Sequence, residues 1–124
     1  GLQDFRDAKT MNGTPLRIGT MKREQEAYFR GWCAAVKKAV KKPVIMTGGI
    51  RSCDLVEEIL SRGEADMIGM CRPFIREPEL IRRWREGDRR RATCISCNRC
   101  GEKLMNGFPL SCALDNRKSQ GAHI

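Results

Sequence analysis

The chain has 124 residues, with 24 Lys and Arg against 15 Asp and Glu, a formal net charge of +9. That length suits one small domain, and no apolar run follows a basic start or approaches membrane-spanning length, so the reading is a soluble, cytoplasmic protein with no membrane partner. It starts at Gly1 rather than Met, as a processed product or a fragment does. The basic residues gather in Lys37-Lys38, Lys41-Lys42, Arg82-Arg83 and Arg89-Arg90-Arg91 with few aromatics among them. Such runs read as a solvated face before they read as a nucleic-acid surface.

In chain order, residues 1–20 hold Asn12-Gly13 and Thr14-Pro15 and no sustained period, which predicts a loop or mobile lead-in. From about Met21 to Lys42 the pattern is helical. Phe29, Trp32, Cys33, Val36 and Val40 form one apolar stripe, Glu24 and Glu26 lie near the start, and Lys37 to Lys42 near the end, as the helix dipole prefers. Pro43 then opens a short apolar strand, Val44 to Thr47. Gly48-Gly49 turns the chain and Ser52 can cap a helix from Cys53 to about Arg62, with Asp54 in its first turn and Leu55, Val56, Ile59 and Leu60 on its buried face. Gly63 can end it, and Ala65 to Met70 reads as a second strand. Strand, helix and strand in this order form a βαβ unit with parallel pairing. Pro78 and Gly87 bracket a third helix carrying Leu80, Ile81 and Trp84; beyond Arg91 the pattern is lost, and the last dozen residues read as a polar tail.

A strand, a glycine turn and a helix start leave backbone N–H groups facing one point, which favours an anion such as phosphate. The stretch from Thr47 to Arg51 has neither the P-loop nor the dinucleotide-binding spacing. The second strand strengthens the signal, because it ends in Gly69-Met70-Cys71-Arg72-Pro73. Parallel neighbours bring their carboxyl ends side by side, so both turns can face one ligand, with Arg51 and Arg72 as paired donors. The plainer alternative is a tight left-handed turn beside two surface arginines.

Seven cysteines is an odd number, which argues against a complete disulfide framework. Cys33, Cys53 and Cys71 are scattered, whereas Cys94, Cys97, Cys100 and Cys112 cluster late. Four thiolates can hold an iron–sulfur cluster or zinc, or remain unligated. His123 is the only histidine and reads as a tail residue, so no Ser/His/Asp arrangement is available.

Glu24 to Arg30, Pro43 to Arg51, Ala65 to Met70 and Arg72 to Ile75 resemble, in order and spacing, the old yellow enzyme family of NAD(P)H-dependent flavin oxidoreductases. The resemblance runs from about residue 21 to 100. It implies an α/β fold, the C-terminal portion of a (β/α)8 barrel: residues 21–91 as the last βα units, with strands seven and eight, and 92–124 as a Cys-containing extension and tail. It also implies that Gly48, Gly49, Arg51, Cys71 and Arg72 lie where the family holds the FMN phosphate. The full enzyme would take hydride from NAD(P)H onto FMN and pass it to an electron-poor alkene. The family's residues beside the flavin ring come from earlier strands, so the chain alone is expected to be inactive. The late cysteines are similar to those of the branch containing 2,4-dienoyl-CoA reductase and trimethylamine dehydrogenase, which carries a 4Fe–4S cluster just after the barrel. That branch has three residues between the second and third cysteines where this chain has two. Other readings are a non-catalytic phosphate-binding or assembly fragment and a basic zinc-binding nucleic-acid module. Two parallel strands cannot close a barrel, so self-association or the missing strands are expected to cover their edges.

Overall fold

The computed structural model describes residues 18, 19 and 22–115. Most of the expected lead-in, and the tail with His123, lie outside those residues. The elements are α1 (Arg30–Ala39), β1 (Ile45–Thr47), α2 (Cys53–Ser61), β2 (Met67–Gly69), α3 (Arg72–Arg76), α4 (Leu80–Arg85) and α5 (Arg99–Met105), with a 3-10 turn at Arg23–Gln25. The two strands pair in parallel, Ile45 with Met67, Met46 with Ile68 and Thr47 with Gly69. This βαβ unit agrees with a portion of a barrel. No described helix is long and apolar enough to cross a membrane.

The glycine at the end of α2 acts as the sequence predicts. Gly63 has φ +67°, its N–H donates to Leu60 O (3.0 Å) and that of Glu64 to Ile59 O (3.1 Å). The pair forms a Schellman cap. Asp66 fixes the start of β2 against β1, since its carboxylate accepts from the Val44 N–H and from Lys37 Nζ, both at 2.7 Å.

Met46, Ile50, Leu55, Ile59 and Ala65 form a core between the sheet and α2. A second cluster of Cys53, Leu80, Trp84 and Ala92 holds α4 against the start of α2, and Val56 and Met70 pack against both. Leu60 departs from its expected burial and is exposed, because α2 buries only Cys53, Leu55 and Ile59.

Three element boundaries differ from the sequence reading. The first helix begins at Arg30, not near Met21, because Ala27 adopts φ +50° and breaks the run. The segment from Gly69 to Arg76 turns straight into α3, with Pro73 in its first turn, and Pro78 precedes α4 in a turn of its own. The cysteine-bearing stretch also contains α5, which the loss of apolar period concealed. The basic runs divide as well. Lys38, Lys41 and Lys42 are exposed, whereas Arg83 donates to the carbonyls of Asp88 (3.3 Å) and Arg90 (3.0 Å) and so braces the chain after α4.

The stripe on α1 is only partly covered. Trp32 and Val36 are each 48% exposed, and Ile45 and Met67 on the strands 57% and 49%. Among the described residues each strand has only the other as a neighbour.

Candidate functional site

Pairing of Thr47 with Gly69 sets the two carboxyl-terminal turns side by side. Gly48 and Gly49 have φ +129° and +70°, conformations that side chains rarely adopt. Space is short there too: a Cβ on Gly49 would lie 2.5 Å from Tyr28 Cε1, and one on Gly48 2.8 Å from Phe29 Cδ2. The Tyr28 and Phe29 rings meet edge to face, centroids 4.7 Å apart. A cleft of about 80 Å³ lies between the turns, lined by Gly48, Gly49, Arg51, Cys71, Arg72 and Tyr28.

The start of α2 differs from the expectation of open N–H groups. The Glu26 carboxylate already lies there. Its Oε2 accepts from the Arg51 N–H (2.8 Å) and the Ser52 N–H (2.9 Å). Its Oε1 accepts from Ser52 Oγ (2.7 Å) and from Arg91 Nε (2.8 Å). Ser52 is the N-cap residue, yet its hydroxyl serves Glu26 rather than the helix backbone. A side chain 25 residues away thus takes the two amides that lead into the helix, and a carboxylate suits the positive helix end.

Neither arginine of the two turns is a surface residue. Arg51 is 2% exposed and Arg72 8%. The Arg51 guanidinium turns inward, donating to Ile50 O and to Ser96 Oγ, each at 2.7 Å, while its Nε is buried without a partner. Burial holds its pKa below the usual arginine value; Cys94 opposes that shift, Arg72 adds to it, and Glu26 opposes it. Arg51 thus ties the first turn to the cysteine-bearing segment.

All seven cysteines are free. Cys94, Cys97, Cys100 and Cys112 are half-buried, but among the described residues no three Cys, His, Asp or Glu side chains converge as ligands of one metal ion. Burial pushes the Cys100 thiol up; the Gly101 N–H opposes this and Cys94 adds to it. Cys33 and Cys53 are also raised, chiefly by burial in the packed interior.

Tyr28, Glu26 and Ser96 belong to this region without having been selected by motif. Tyr28 and Glu26 fall inside the stretch that carries the family resemblance, which was the available signal. Ser96 had none beyond its place between two cysteines.

Residues 9–90 match the NADH:flavin oxidoreductase / NADH oxidase family. The chain belongs to that family. It is similar to a metal reductase of Desulforamulus reducens, 35% identical over 91 residues, which is 72% of this chain and 14% of that protein. The 4,4'-dithiodibutanoate disulfide reductase of Rhodococcus erythropolis is 28% identical over 83 residues, 67% of this chain and 20% of that protein. Dimethylamine dehydrogenase of a Hyphomicrobium species is 36% identical over 90 residues, 69% of this chain and 12% of that protein. The chain therefore spans a fifth or less of these curated relatives. Family membership implies FMN as the cofactor.

Proposed function

We propose that this chain is the C-terminal part of the FMN-binding barrel of an NAD(P)H-dependent flavin oxidoreductase, and that its two turns hold the flavin phosphate. The strands are then the seventh and eighth of the barrel. The observation that carries this reading is the single cleft lined by Gly48, Gly49, Arg51, Cys71 and Arg72, which the Thr47–Gly69 pairing creates. A phosphate fits the residues present. The glycines at positive φ make room for the Tyr28 and Phe29 rings beside the cleft, and two buried guanidinium groups set a positive field along it.

When bound, FMN supplies the hydride chemistry, from NAD(P)H to an electron-poor alkene. This chain's own part is to bind and orient. The glycine turn presents its backbone, Arg72 and Arg51 neutralise charge, and the Tyr28 ring closes the first turn against water. The half-exposed faces of α1 and β1 support an assembly in which the remaining barrel strands, or a second copy, cover Trp32, Val36 and Ile45.

An iron–sulfur cluster or zinc on Cys94, Cys97, Cys100 and Cys112 is a second reading that rests on donor type, on the spacing of the cysteines and on the resemblance to the cluster-bearing branch. Among the described residues no three such side chains converge on one point. Elemental analysis of anaerobically purified protein decides the matter. A shared site requires Cys94→Ser to remove the metal and Cys53→Ser to retain it; equal retention in both rejects the site.

The phosphate assignment is tested by Arg72→Ala in the intact flavoprotein. Loss of a charge-assisted contact of about 1.5–3 kcal/mol corresponds to FMN binding weaker by about tenfold to a hundredfold, with little change in kcat at saturating FMN. Unchanged FMN affinity contradicts it.

A further inference from the structure

The geometry points to Glu26 as a positioning residue of the phosphate site, acting through the backbone of the first turn; this inference rests on the phosphate reading above. Its side chain is fully buried, and its carboxylate accepts all four of the hydrogen bonds described above. Two of them come from the amides of Arg51 and Ser52, the residues that follow the cleft-lining turn within three positions.

The turn needs such support. Glycine loses more conformational freedom on folding than any other residue, so ordering two in succession costs more entropy than ordering any other pair. One short segment holds the turn at both ends. Glu26 fixes Arg51 and Ser52 by hydrogen bonds, and two residues later Tyr28 packs its ring against Gly48 and Gly49. Between them Ala27 takes φ +50°, an uncommon conformation for alanine that lets both neighbours reach the same turn. The Ala27 carbonyl accepts from the Arg30 N–H (2.8 Å), which joins the segment to α1.

The carboxylate also decides where an external anion can bind. It takes up the start of α2, the usual anion position of a strand–turn–helix unit. A phosphate is therefore directed away from the Arg51 and Ser52 amides and toward the glycine turn and Arg72. Arg91, the outer partner of Glu26, extends the same arrangement to the segment that leads into the cysteines.

The test compares FMN with riboflavin, which shares the ring and ribityl chain but lacks the phosphate, in the intact flavoprotein. Glu26→Gln sets an amide NH2 against groups that are themselves donors. Expected are an FMN affinity lower by about tenfold, a riboflavin affinity within about twofold, and faster hydrogen exchange at the Arg51 and Ser52 amides. Glu26→Asp, which keeps the charge one methylene short, should recover part of the loss. If Glu26→Gln does not fold, Ser52→Ala removes one donor only and should lower FMN affinity by about threefold with the same indifference to riboflavin. Equal losses for both flavins, or faster exchange with unchanged FMN affinity, overturn the inference and leave Glu26 as a helix cap alone. An unsubstituted protein that binds riboflavin as tightly as FMN removes the phosphate reading itself, and this inference with it.

Discussion

The turn after β1 and the turn after β2 lie side by side but are built by different means. The first depends on shape: two glycines at positive φ, a buried Ile50, a ring packed on one side and an internal carboxylate beneath. The second has no residue at positive φ, and it passes directly into α3, whose first residue is the buried Arg72. Gly69 serves there for room, because a Cβ would run into Thr47 Oγ1 on the neighbouring strand. One turn offers backbone held under a packed ring, and the other offers charge. A backbone surface tolerates no added atom, whereas a charged contact can be lost with its neighbours intact.

That contrast is sharpest in Gly49→Val. The substitution brings a branched side chain to φ +70° and against the Tyr28 ring, where even a Cβ finds 2.5 Å. The strain is on the order of 1–3 kcal/mol, and the cleft is obstructed as well. FMN affinity should fall by more than Arg72→Ala lowers it, and thermal unfolding should shift downward even without flavin. Equal effects of the two substitutions on FMN, with no thermal shift, would dissolve the distinction between shape and charge.

A smaller effect tests whether the site end of the sheet is independent of its opposite end. There Arg30 holds the Glu64 carboxyl below the usual carboxylate range, and Lys37, with the Val44 N–H, does the same for Asp66. Both folded values are depressed, so the stability they contribute is complete above the ordinary values of about 4 and is lost as the pH falls through the depressed ones. The melting temperature should therefore decline below about pH 4, and Arg30→Met should flatten that decline. At neutral pH the same variant should bind FMN as the unsubstituted protein does. A matching loss of FMN affinity at neutral pH would join the two ends into one unit.

Much of the fold was legible because its signals are local. The β-branched run before Gly48-Gly49, the periodic face of α2, Gly63 as its cap and the second apolar strand all lie within about 25 residues, and together they specify the parallel pair. The glycines of the two turns, with Arg51 and Arg72, could be brought together for the same reason, since adjacency of strand ends follows from topology, whereas Cys71 came only with the family resemblance. What the sequence concealed depends on distant contacts. Glu26 looked like a helix-start residue of α1, and only the fold brings it to Arg51 and Ser52, 25 and 26 residues on. Arg51 reads from the sequence as a donor toward the anion or as a surface residue, and only the fold brings Ser96, 45 residues away, to accept from its guanidinium. The sequence places no helix between Met70 and Pro78, because the five residues of α3 are too few to show a helical period, although proline suits a helix's first turn.

The phosphate position in the flavin-loaded protein tests the central claim most directly. In a crystal structure of the intact flavoprotein with FMN, phosphate oxygens are expected within about 3.2 Å of donors from both the Gly48–Gly49 turn and the Arg72 turn, with Glu26 still at the start of α2. A phosphate that touches one turn alone, or that displaces Glu26 from the Arg51 and Ser52 amides, contradicts the account.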